Sequence, residues 1–156
     1  MKHQLDFYTD YGHFYLSDKD APGDTGSEDF WTDDAFNEML AVEDGILGVS
    51  IKNDEGIVKC ELEFLEAKSE ILDFSEYDHV VEASIIIKSG ILQILDCPHW
   101  HVELEKTLEN GDYRVRIYSS NFKTAYDENP EDYYKIEIWK APYSQRVVLK
   151  QFMSIQ

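Results

Sequence analysis

Ile46-Leu47-Gly48-Val49-Ser50-Ile51 and Ile57-Val58-Lys59-Cys60-Glu61-Leu62-Glu63-Phe64-Leu65, held apart by Asn53-Asp54-Glu55-Gly56, decide the fold. In the second run Leu62 and Phe64 alternate with Glu61 and Glu63. Successive side chains of a strand point to opposite faces, so this pattern predicts one oily face and one acidic face. The polar segment ending in Gly56 has the length of a short hairpin loop. Two β-strands joined by a hairpin are therefore expected here.

The same grammar repeats outward in both directions. Val80 to Ile87 and Ile91 to Leu95 flank Lys88-Ser89-Gly90, and their continuous Ile, Val and Leu content predicts a strand buried on both faces. Asn110-Gly111, the strongest short hairpin dipeptide, links Val102–Leu108 to Tyr113–Tyr118, where Tyr113, Val115 and Ile117 alternate with Arg114 and Arg116. Tyr133 to Trp139 and Arg146 to Phe152 flank Ala141-Pro142-Tyr143, and Leu5–Thr9 with His13–Leu16 form a further pair around Gly12. One helix interrupts the series. Thr32 is its N-cap, Asp33 and Asp34 occupy its first turn, and Trp31 and Phe36 take the two staple positions. Ala35, Phe36, Met39 and Leu40 make a narrow apolar stripe that Gly45 ends. The expected architecture is a mostly β, antiparallel β-sandwich of eight or nine strands with one short amphipathic helix, and residues 1–156 form a single domain.

Charge separates this chain from most domains of its size. Its 156 residues carry 32 acids against 14 Lys and Arg, a formal net charge of -18. Nucleic acid and anionic membrane surfaces are poor direct partners for such a molecule, whereas a basic protein is drawn in. Residues 18–44 hold ten of the acids against Lys19 alone, and Phe30, Trp31 and Phe36 are interleaved with them. Aromatic anchors inside a charged surround have the composition of an interface hot spot. The candidate partner-binding residues are accordingly Phe30, Trp31, Asp33, Asp34 and Glu38, joined by the strand acids Glu61 and Glu63. Acids at i and i+2 on a strand stand about 6.7 Å apart, a rigid row that a phosphate-binding cleft can accept in place of a nucleic-acid backbone. A nuclease is the natural target.

Catalytic and metal readings are weaker. Cys97-Pro98-His99-Trp100-His101 brings soft ligands together, and a small metal-dependent hydrolase using Cys97, His99 and His101 is the alternative function. Three ligands two residues apart do not converge on a tetrahedron without a bend. Asp127, Glu128, Glu131 and Asp132 surround Asn129-Pro130 with oxygen ligands but match no EF-hand spacing. No P-loop, dinucleotide fingerprint or nucleophile elbow occurs, so no cofactor and no enzymatic activity are expected. The N-terminal residues contain no signal-peptide h-region and no run spans a bilayer, which predicts a cytoplasmic protein with Cys60 and Cys97 as separate thiols.

Trp31-Thr32-Asp33-Asp34-Ala35, then Ala41 and Asp44-Gly45, and later Gly111-Asp112-Tyr113 opening a strand, resemble the competence protein J family. Characterised members of that family inhibit the DNA-entry nuclease of competent bacteria. The resemblance implies an inhibitor or immunity role against a nuclease, in agreement with the charge argument. It carries no binding residue over to a position of this chain.

Overall fold

The computed structural model describes residues 2–53 and 56–153. Eleven strands lie in chain order: β1 Lys2–Thr9, β2 His13–Asp18, β3 Leu40–Glu43, β4 Ile46–Ser50, β5 Gly56–Phe64, β6 His79–Ile87, β7 Ile91–Leu95, β8 Val102–Thr107, β9 Gly111–Ser120, β10 Tyr133–Lys140 and β11 Val147–Lys150. Among the described residues one α-helix, α1 Asp33–Glu38, precedes β3, and one 3₁₀ turn covers Phe122–Thr124. A six-stranded sheet in the order β1-β5-β10-β9-β6-β11 faces a five-stranded sheet in the order β3-β4-β2-β7-β8. The expected sandwich is present, with more strands than the eight or nine read from the sequence. Pairing is antiparallel except between β5 and β10, which run parallel.

The expected hairpins are where sequence and structure part. Around Gly12, β1 enters the six-stranded sheet and β2 the five-stranded one. The same crossing separates β4 from β5, β6 from β7 around Lys88-Ser89-Gly90, and β8 from β9 around Asn110-Gly111. Of the expected 53–56 loop, Asp54 and Glu55 lie outside the described residues. A glycine turn reverses the chain equally well within a sheet or across the gap between two sheets. Apolar alternation on both flanks fits either outcome, because Ile85, Ile87, Leu92 and Ile94 all end in one shared core. Gly45 corrects another expectation. It does not end the helix but sits at φ +75° in the turn between β3 and β4, which do pair as neighbours, while Met39 at φ +62° closes α1.

Inner faces of the two sheets make the main core, including Phe7, Phe14, Leu16, Leu47, Val58, Leu62, Ile117 and Ile136. Both outer faces are also covered. On the six-stranded sheet Arg114 and Arg116 alternate with core residues as expected, yet both are buried. Residues 65–78 and 141–146 lie over them. Arg114 donates to the carbonyls of Ser144 and Gln145 at 2.9 Å each, and Arg116 reaches the Ile71 carbonyl at 3.4 Å. Glu82 accepts from both guanidinium groups, and the Tyr118 hydroxyl, which donates to Glu137, has its pKa pushed up to about 12 chiefly by burial. The outer face of the five-stranded sheet is covered instead by a small apolar cluster of Tyr15, Phe30, Ala35, Ala41, Ile46, Leu95 and Cys97.

Candidate partner-binding surface

Residues 19–32 carry the acids across the outer face of the five-stranded sheet and end at α1. The anchor is Phe30, only 1 % exposed, which packs with Trp31 over Gly48. A Cβ placed on Gly48 would stand 2.8 Å from Trp31 Cζ2 and 2.9 Å from Phe30 Cζ, so β4 must present a bare backbone here. Trp31 is half-buried and stacks on Phe36 with ring centroids 5.0 Å apart. That contact is the expected staple, and the Ala35 amide donates to Thr32 Oγ1 at 3.1 Å as the expected cap. The apolar group left open to solvent is Phe36, 55 % exposed.

The candidate residues divide by location. Asp33 and Asp34 are exposed on α1, and Asp24, Glu28 and Asp29 are exposed on the preceding loop. Glu38 is partly buried and holds Arg146 at 2.5 Å. Glu61 and Glu63 lie on the outer face of the other sheet, so they do not form one surface with α1. Glu61 accepts from the Tyr133 hydroxyl and pairs with Lys2, both at 3.1 Å, with its side chain 14 % exposed. Phe30, expected as a partner anchor, is instead internal. Asp18, inside the acidic run, is likewise buried and accepts from the amide of Ser89 at 3.1 Å and from its hydroxyl. The sequence places Phe36 among the aromatics interleaved with the acidic run but gives it the staple position and not a partner-binding role; its position on the outer side of the stack is what exposes it.

The Cys97 segment folds differently from the ligand set expected of it. Cys97 Sγ approaches His13 Nε2 at 3.2 Å, and Tyr15 Oη lies 3.0 Å from the same nitrogen. His99 and His101 point outward, His101 to Asp96 at 3.0 Å. Burial pushes the Cys97 thiol up and the His13 imidazole down, the latter partly offset by the Tyr11 carbonyl. Both effects favour a neutral thiol hydrogen-bonded to a neutral ring, the resting form of a packed side chain rather than of an activated nucleophile. Trp100 covers the group by stacking on Tyr15 at 4.6 Å. Asp132, from the other oxygen-rich segment, is buried and accepts from Asn53 and Tyr134. Among the described residues no three His, Cys, Asp or Glu side chains gather in a metal-binding group. Cys60 and Cys97 are free thiols in separate clusters, as expected. No helix among the described residues is long and apolar enough to cross a membrane.

A two-sheet sandwich of this kind is a fold seen before. Two solved structures share it. One is ComJ from Bacillus subtilis, an inhibitor of the DNA degrading activity of NucA, with a TM-score of 0.63, 18% identity, and 90% of this chain aligned to 96% of that one. The other is described as crocagin biosynthetic gene J, with a TM-score of 0.51, 16% identity, and 89% of this chain aligned to 97% of that one. No protein-family model and no curated protein matches the chain. The fold implied by the competence protein J resemblance is therefore the fold observed.

Proposed function

We propose that this protein is a nonenzymatic inhibitor that binds a basic nuclease and blocks its phosphate-binding surface. The observation that carries the reading is the set of exposed carboxylates Asp24, Glu28, Asp29, Asp33 and Asp34 around the Trp31–Phe36 stack, with Phe36 open to solvent. An acidic surround steers a basic partner during approach, and an aromatic ring supplies desolvated contact once docked. The fold shared with a nuclease inhibitor supports the same role. Glu38 and Glu61 are engaged in internal ion pairs and contribute to shape more than to contact, and Glu63 stands too far round the sandwich to join α1.

The test is a titration of a basic DNA-degrading nuclease from the source cell with the full chain, at low and at moderate salt. Stoichiometric inhibition is expected, with association slowed roughly tenfold for D33N/D34N at low salt and less as salt rises. F36S should speed dissociation instead. Full nuclease activity at saturating protein would sink the reading.

A further inference from the structure

The strongest feature outside the acidic surface is an open groove of about 730 Å³ between the end of β11 and the 3₁₀ turn. Phe122, Phe152 and Tyr126 give it an apolar lining, and Lys52, Lys123 and Lys150 stand around it. It adjoins a smaller recess of 270 Å³ that reaches towards Phe36 and shares Lys52, Tyr126 and Phe152. Three of the fourteen basic side chains thus converge on one cleft of a molecule that carries 32 acids.

The local balance of charge is the opposite of the global one. Asp78 is the carboxylate in the lining, and its Oδ2 accepts from the Phe122 amide at 2.9 Å. None of the three lysines makes an ion pair with another described residue. Lys150 donates to the Phe74 carbonyl at 3.0 Å, and the Lys52 ammonium sits 4.9 Å from the centre of the Phe152 ring. Lys150 also lies close enough to feel the Asp73 carboxylate, whereas Lys52, over the Phe152 ring, and the exposed Lys123 have no ion-pair partner among the described residues and are arranged to receive negative charge beside an apolar body. The lining is also fixed in place. The Phe152 amide donates to His79 Nδ1 at 3.0 Å, and His79 Nε2 donates to the Glu38 carbonyl at 2.7 Å, so a wholly buried imidazole ties the floor of the groove to α1. Its volume suits one small molecule.

We propose that this groove binds a small amphipathic anion, an aromatic or aliphatic body carrying a carboxylate or sulfonate. Its acidic group meets Lys52 and Lys123, and its apolar part lies against Phe152 and Tyr126. The site does not depend on the nuclease reading, which uses other residues.

The full chain titrated with 1-anilinonaphthalene-8-sulfonate, an aromatic anion, and in parallel with uncharged N-phenyl-1-naphthylamine tests it by fluorescence. The sulfonate should saturate at one site. K52Q/K123Q should weaken it roughly tenfold while changing the neutral dye less than twofold, as expected when charge-assisted contacts alone are removed. Y126S should weaken both dyes, and L72S, at an exposed apolar side chain outside the groove, neither. Because Lys123 is exposed, K123Q alone keeps the test readable if the double variant unfolds, and near-UV circular dichroism confirms native packing in each case. Equal affinity for the two dyes in the wild type, or sulfonate binding indifferent to both lysine variants, overturns the proposal.

Discussion

The two outer faces of the sandwich are both buried, by opposite chemistry. Over the six-stranded sheet the cover is ionic: Glu82 between Arg114 and Arg116, with Ser69, Tyr118 and Glu137 continuing the network under residues 65–78 and 141–146. Over the five-stranded sheet it is aromatic: Phe30 and Trp31 on Gly48, His13 against Trp31 at 4.7 Å, and Trp100 on Tyr15. The two covers are held by different means. Guanidinium groups reach across to backbone carbonyls and fasten irregular loops at defined points, whereas rings fill space and leave the edge of their cover free to display Asp33, Asp34 and Phe36. The ionic face is the fastening; the aromatic face is the one with something to show.

That contrast can be broken most forcefully at Glu82. E82A leaves two buried guanidinium groups without their carboxylate and is expected to cost about 3–5 kcal/mol, read by urea unfolding. A loss below 1 kcal/mol would mean water has replaced the carboxylate and that the face is not dry. On the other side G48A forces Phe30 and Trp31 outward. Overpacking of this kind costs about 1–3 kcal/mol, and tryptophan emission should shift in the native state because Trp31 moves.

Acid should act on the two faces unequally. Burial holds His13 and His79 below the ordinary 6.5 of an imidazole, and neither lies in the ionic network. The unfolded chain then takes up protons that the native state refuses, so stability is complete above about pH 6.5 and is lost as pH falls below it. H13Q or H79Q, if folded, should flatten that decline, and E82A should leave its slope unchanged. The smallest effect belongs to the exposed acids. D33N/D34N should change unfolding free energy by no more than about 0.5 kcal/mol while slowing capture of a basic partner, which separates display from support.

Much of this was legible in residue order. The Thr32 cap, the Trp31–Phe36 staple, the doubly buried β6 and the alternation along β5 and β9 all follow from local rules that hold wherever the element sits. Pairing was not legible, because Gly12, Gly90 and Asn110-Gly111 specify a reversal and say nothing about which sheet receives the next strand. Burial of the ionic face was hidden for a related reason: Arg114 and Arg116 alternate as solvent-facing residues do, and only the loops laid over them make them internal. One signal was available. The chain has just three arginines, Arg114, Arg116 and Arg146, and all three form internal ion pairs while lysine supplies the surface cations. The groove at Lys52, Lys123 and Lys150 had no such signal, since its parts are far apart in the chain.

The four crossings between sheets also govern how the molecule can be made. Neither sheet corresponds to a continuous piece of chain, since β1, β5 and β6 belong to one and β2, β3 and β4 to the other. On a ribosome β1 and β5 are both made early, but the second edge of β5 has no partner until Tyr133–Ile138 emerges to lie parallel to it. Distant pairing of this kind gives high contact order, slow folding and an assembly that forms all at once or not at all. A half-synthesised chain would therefore hold an open, apolar-backed edge, and the cell must protect that edge until the last strands arrive.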